Sequence, residues 1–167
     1  MLFGSSMTHA RRSIIRSAAV GAGAGVAATM AMSSVMLAAR QMGLRAELPP
    51  VLIAEETVEA VSHRQAEPGE ERALATVAHF GFGALAGALY GSAAGGVRHG
   101  ALAGVLGILF GSAVWLVSYQ GWIPVLGIMP PASRDHPGRV GTMLAAHWIY
   151  GAALGAVVHR LRQLTRS

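Results

Sequence analysis

Ala78-His79-Phe80-Gly81-Phe82-Gly83-Ala84-Leu85-Ala86-Gly87-Ala88 is followed 68 positions later by Ala146-His147-Trp148-Ile149-Tyr150-Gly151-Ala152-Ala153-Leu154-Gly155-Ala156. Both stretches read A-H-aromatic-x-aromatic-G-A-x-x-G-A. Each sets one histidine in an uncharged apolar segment long enough to be part of a bilayer-spanning helix. Together they point to a membrane protein with internal symmetry.

The rest of the composition agrees. Charged residues make up 13% of the 167, the hydrophobic fraction is 53% and the mean hydropathy is +0.47. A soluble domain carries roughly 25% charged residues, which this chain lacks the polar side chains to match. The thirteen basic residues are all Arg, and they flank apolar runs. Their expected partner is the lipid bilayer and its anionic headgroups, not nucleic acid, despite a pI near 11. With no cysteine there is no disulfide, thiolate metal site or cysteine nucleophile.

Four spans follow from hydropathy, at about 18–39, 73–97, 101–119 and 140–158. Arg11 and Arg12 precede the first, and Ala-Thr-Met-Ala at 28–31 resembles a signal cleavage site. The apolar run of Ala18 to Ala39 is nevertheless of spanning length, roughly 20 residues, where a signal core is shorter, so the reading is a retained span. Residues 40–72 hold seven of the eight acids. After Pro49-Pro50, Val51, Ala54, Val58 and Val61 share one helical face and Glu55, Glu59 and Ser62 the other, which predicts a short amphipathic helix on the membrane surface. Glu67-Pro68-Gly69-Glu70 reads as a break before the second span. Arg98-His99-Gly100 reads as a tight turn to the third. Tyr119 and Trp122 suit an interfacial aromatic belt, and Pro130 to Arg139 a connector with Asp135 or His136 near the cap of the fourth helix. Four spans put both termini on one side. That side carries Arg11, Arg12, Arg16, Arg98, Arg160, Arg162 and Arg166 without an acid, which favours a multi-pass protein of the inner (plasma) membrane with both termini cytoplasmic.

The repeat extends past the histidines. Gly21-Ala22-x-Ala24-Gly25-Val26 matches Gly100-Ala101-x-Ala103-Gly104-Val105. At the same offset of 79, Ser33, Val35, Leu37 and Gln41 match Ser112, Val114, Leu116 and Gln120. Pro49-Pro50 corresponds to Pro130-Pro131, and Pro68-Gly69 to Pro137-Gly138. The chain therefore reads as one all-α membrane domain of four transmembrane helices, built as two parallel two-helix repeats (about 14–97 and 98–162). A pseudo-two-fold axis along the membrane normal is expected to relate them. Small residues recur every fourth position: Gly21/Gly25, Gly83/Gly87/Gly91, Gly107/Gly111 and Gly151/Gly155. Such faces let helix backbones approach closely in lipid. A homo-oligomer formed through a leftover face is compatible with this pattern.

His79 and His147 stand about seven residues inside their spans, roughly 10 Å down at 1.5 Å per residue. Both precede a packing glycine by four, which turns them toward the bundle. Three readings stand side by side. Each imidazole can hydrogen-bond a backbone carbonyl, a tyrosine, Ser33 or Ser112 and hold helix register. The two can form a titratable pair acting as proton relay or pH sensor. They can also ligate haem or a metal between helices two and four, although no further ligands stand at set spacing. The sequence commits to no cofactor and no metal. His63, Asp135, His136 and the glutamates of the outer side read as a solvated surface. No Ser/His/Asp arrangement, phosphate loop, paired-carboxylate site or metalloprotease helix occurs, so no enzymatic activity is expected. A small transporter or channel subunit is a further alternative, with an oligomer needed to enclose a path.

The second half, from Gly100-Ala101-Leu102-Ala103-Gly104 through Gly127-Ile128-Met129-Pro130-Pro131 to Ala146-His147-Trp148, resembles the YagU-like bacterial inner-membrane proteins. That resemblance covers the last 65 residues or so well and the first half loosely. It implies a multi-spanning inner-membrane protein connected to acid tolerance, and it carries no site residues with it.

Overall fold

The computed structural model describes residues 3–42, 68–94, 97 and 99–164. Every long element in it is helical. Helix α1 is Phe3–Gln41, α2 is Pro68–Ala93, α3 is Gly100–Trp115 and α4 is Pro137–Leu164. Four segments are long and apolar enough to cross a membrane: Ser13–Gln41, Arg72–Ala93, Gly100–Val125 and Pro137–Leu164. The amphipathic helix expected at 51–62 lies outside the described residues, as does His63.

The helix ends differ from the hydropathy limits for local reasons. α1 begins at Phe3, inside the stretch read as a polar lead. Pro68-Gly69, read as a break, instead opens α2, as its counterpart Pro137-Gly138 opens α4. Proline suits the first helical position because its missing N–H has no partner there anyway. At α4 the preceding His136 completes the cap, its Nδ1 accepting from the Gly138 N–H at 3.2 Å. α2 stops at Ala93, earlier than Val97. Its last carbonyls, those of Gly91 and Ala94, accept from the Arg162 guanidinium of α4. A cation there satisfies orphan acceptors at the negative end of the helix dipole.

α3 does not end where its regular turns end. It widens into a π-helical stretch, Leu116–Trp122, with Gly121 off helical geometry at φ −100, ψ −106, and closes in a short turn at Ile123–Val125. Gly127, at φ 75, then reverses the chain. The Gly127 N–H donates to the Pro124 carbonyl at 3.1 Å and the Ile128 N–H to that of Ile123 at 3.2 Å. This is the paired bond set of a glycine-terminated helix, and the left-handed residue is one that glycine adopts without a Cβ penalty.

Two glycine seams hold the bundle. On the α1/α2 seam, Gly21 and Gly25 face the backbone of Gly83, Gly87 and Gly91. A Cβ built on Gly21 would lie 2.2 Å from the Gly87 carbonyl oxygen, and one on Gly25 2.2 Å from that of Gly83. On the α3/α4 seam, Gly107 and Gly111 face Gly151, Gly155 and the His147 carbonyl, with equivalent clearances of 2.0 and 2.2 Å. Helices this close gain dispersion contacts that no larger residue would permit, which matters where lipid supplies little hydrophobic drive.

The seams are alike but not in the register of the sequence match. Gly25, over Gly83, takes the place that Gly107 takes over Gly151, an offset of 82 and not 79, and a Cβ on Gly104 would meet nothing within 4 Å. The expected two-fold relation is also not kept. α1 packs extensively on α4, whereas α2 barely packs on α3. Where these two do meet, the buried Tyr90 of α2 intervenes: its hydroxyl donates to the Ala103 carbonyl at 3.1 Å and its ring lies 5.3 Å from that of Phe110. A tyrosine on this face keeps apart two backbones that glycine would bring together. α1 and α4 are thus the inner pair, and α2 and α3 splay away from each other toward the side opposite the termini.

Candidate functional site: a four-helix cavity around two histidines

The splay leaves a cavity of about 210 Å³ to which every helix contributes. α1 supplies Thr29, Met32 and Met36. α2 supplies Ala78, His79, Phe82, Gly83 and Ala86. Val114, Ser118, Tyr119, Trp122 and Ile123 come from α3 and its extension, and Met143, His147 and Tyr150 from α4. The π-helical stretch explains the third set. Ser118, Tyr119 and Trp122 all lie in it, and π-turns are frequent at functional sites. Ser118 uses a carbonyl of the widened turn, donating to Val114 at 2.6 Å.

His79 and His147, 68 positions apart, both reach this one cavity. Counted from the starts of the spans at Arg72 and Pro137, they lie roughly 10 and 15 Å along their helices at 1.5 Å per residue. His147 Nδ1 donates to the Met143 carbonyl at 2.7 Å. A carbonyl only accepts, so the proton sits on Nδ1, and Nε2 of the neutral ring carries a lone pair. His79 Nε2 is buried with no hydrogen-bond partner. A buried polar atom left without a partner costs stability.

Tyr150 donates to the Gly83 carbonyl at 2.7 Å, tying α4 to the α1/α2 seam. Thr29 is only 1% exposed; its hydroxyl donates to the Gly25 carbonyl at 2.8 Å and sits where a Gly83 side chain would be. Toward the connector, the Tyr119 hydroxyl donates to Asp135 Oδ2 at 2.6 Å. The Asp135 side chain is 5% exposed; it also accepts from the His136 N–H at 2.6 Å and pairs with Arg139 at 3.5 Å. A carboxylate this buried needs several partners, and these three hold the connector over the Tyr119 side of the cavity. Among the described lining residues none is a carboxylate, and the walls are mostly methionine, aromatic and aliphatic carbon.

Neither serine proposed as a histidine partner lines the cavity. Ser33 is half-buried elsewhere on α1. Ser112 donates back to the Ile108 carbonyl at 2.9 Å and accepts from Trp148 Nε1 at 3.0 Å, on the outside of the α3/α4 pair. A helical hydroxyl four residues beyond a carbonyl finds that acceptor first. Gly21, Gly25, Gly87, Gly91, Gly107, Gly111, Gly151 and Gly155 sit in the seams, and Gly83 both in a seam and at the cavity wall. Sequence reasoning did not single out Thr29, Met32, Met36, Met143, Tyr150 or Trp122 for the site. One signal was present: the second aromatic of the repeated motif, Phe82 and Tyr150, lines the cavity in both copies. Among the described residues no group of three or more His, Cys, Asp or Glu is placed to hold a metal ion.

No curated protein and no solved structure matches the chain. A family model matches residues 15–167, which take in α2, α3, α4 and α1 from residue 15 on, and by that match the chain belongs to the family of unknown function DUF6789.

Proposed function

We propose that this is a non-enzymatic, multi-pass protein of the cell inner membrane, both termini cytoplasmic, that holds a small lipophilic guest in its four-helix cavity and responds to acid through His79 and His147. One observation carries the reading. Two histidines from the two halves of the chain converge on a single apolar cavity, one with its Nε2 buried and unpartnered and the other with its Nε2 lone pair free. An internal duplication accounts for the paired histidines, with later drift accounting for the three-position slip between the seams.

Acid enters through atom chemistry. Neutral His147 offers an acceptor at Nε2, whereas the protonated ring offers a donor there, so a proton changes what the cavity can hold. The groups lining the cavity with it are His79 from α2, Ser118 and Tyr119 from α3, Thr29 from α1, and Tyr150 from its own helix. None is an anion, so a proton on this pair has no counter-charge from the lining. The link to acid tolerance suggested by the YagU-like resemblance fits this chemistry.

The transporter alternative has less support, because both glycine seams pack backbone on backbone and the described lining of the cavity is mostly apolar. The haem alternative has less support, because His79 Nε2, one of the two ligand atoms it calls for, is buried away from the cavity. The test is survival at low pH of cells carrying the wild type or the His79→Gln/His147→Gln variant, at matched membrane levels. Reduced survival of the variant is expected; equal survival would end the acid-response reading.

A further inference from the structure

We propose that the guest is a monocyclic phenol or hydroquinone head group on a lipid tail, its hydroxyl donating to His147 Nε2. The proposal rests on the cavity being a binding site, and four observations narrow the chemistry.

Size comes first. A cavity of about 150 Å³ lined by apolar side chains is enough for benzene. At about 210 Å³, the cavity here takes one six-membered ring with small substituents. Polarity comes second. The Met143 carbonyl fixes the His147 proton on Nδ1, so its free Nε2 selects a guest that brings an O–H or N–H. His79 also lines the cavity, but its Nε2 is buried away from that space, so the polar contact for a guest is His147 Nε2.

The walls come third. Met32, Met36 and Met143 line the cavity together with Phe82, Tyr119 and Trp122. Thioether sulfur contacts ring edges favourably, and aromatic side chains pack on a guest ring in offset or edge-on geometry. An aliphatic alcohol meets the donor requirement but wastes these flat walls. Last is access. α2 and α3 pack weakly, and Ala78 and Phe82 line the cavity while remaining exposed, Phe82 at 44%. The cavity therefore reaches the surface of the described bundle beside α2, at the depth of the hydrocarbon, where a tail would leave into lipid.

The experiment uses the purified full-length protein in mild detergent. Affinity is read from tryptophan fluorescence, Trp122 being in the wall, and checked by thermal stability. Three probes share one alkyl chain: an alkyl hydroquinone, its dimethyl ether and the plain alkane. The hydroquinone is expected to bind about tenfold more tightly than the ether, the effect of one buried hydrogen bond made or lost. His147→Phe should erase that preference, and His147→Gln, which keeps an acceptor, should retain part of it. If either variant fails to fold, the wild-type comparison between hydroquinone and ether decides alone. Equal binding of ether and hydroquinone overturns the donor selection while leaving the cavity a binding site. Equal binding of the alkane overturns the aromatic head group as well. No binding of any probe overturns both this inference and the guest-binding reading.

Discussion

Gly87→Ala tests whether the α1/α2 seam owes its closeness to the absence of side chains. A Cβ on Gly87 would sit 2.3 Å from the Gly21 carbonyl oxygen, 2.7 Å from Gly25 Cα and 2.9 Å from Gly25 N, all of them backbone. No rotamer can relieve contacts with main chain, so the helices must part. An ordinary contact begins at 3.4 Å, which requires about 1 Å of separation. A gap of 0.5–1 Å forfeits roughly a quarter to a half of each dispersion well. With on the order of 40 atom pairs along the seam at about 0.1–0.2 kcal/mol each, the loss is ~1–4 kcal/mol, close to the range found for overpacking. Gly81→Ala on the same helix is the control, since a Cβ there meets nothing within 4 Å. It should be neutral or slightly stabilising, because alanine is the better helix former by about 0.8–1 kcal/mol. The assay is reversible unfolding in mixed micelles of rising SDS content, followed by far-ultraviolet circular dichroism. Gly87→Ala should unfold at a clearly lower SDS fraction than Gly81→Ala. If the two unfold together, the seam is not held by backbone proximity and the reasoning fails.

Other parts of the structure make their own predictions in the same unfolding assay. Arg162→Met strips the carbonyls of Gly91 and Ala94 of their guanidinium donor; a loss of about 1.5–3 kcal/mol is expected, with faster amide exchange confined to the last turn of α2. Tyr119→Phe removes one of the partners of Asp135 and should cost about 1–3 kcal/mol; Asp135→Ala should cost more, because it leaves both Tyr119 and Arg139 unpaired in a half-buried site. Ser112→Ala and Trp148→Phe break the same bond, so a double-mutant cycle should return a coupling of about 0.6 kcal/mol; additive losses would show that the two do not interact.

Much of the bundle was readable along the chain because lipid imposes simple rules. Apolar segments of spanning length must be helices, since no other local structure satisfies its own backbone there. Glycine at four-residue spacing marks one face of such a helix, and the seams use those faces. The histidines were readable as well, each being the one basic side chain in its apolar segment. Their partners were not. Ser33 and Ser112 were plausible by depth, yet depth says nothing of azimuth, and neither lines the cavity that the imidazoles reach. Thr29 and Tyr150 were passed over because a threonine or tyrosine in an apolar run is unremarkable until its neighbours across the seam are known.

Sequence by itself determined the number of long helices, the two glycine-faced pairs and the presence of one histidine in each half. These are properties of single segments, set by hydropathy, residue size and spacing. Tertiary structure alone decided how the pairs meet. Equal halves predict equal contacts, but Tyr90 keeps α2 from closing on α3 while α1 closes on α4, and the π-helical stretch at Leu116–Trp122 carries Tyr119 and Trp122 into the lining. The cavity is the product of that asymmetry. It arises between elements distant in the chain, from side-chain bulk at one crossing and one extra residue in one turn, neither of which leaves a periodic trace in the sequence.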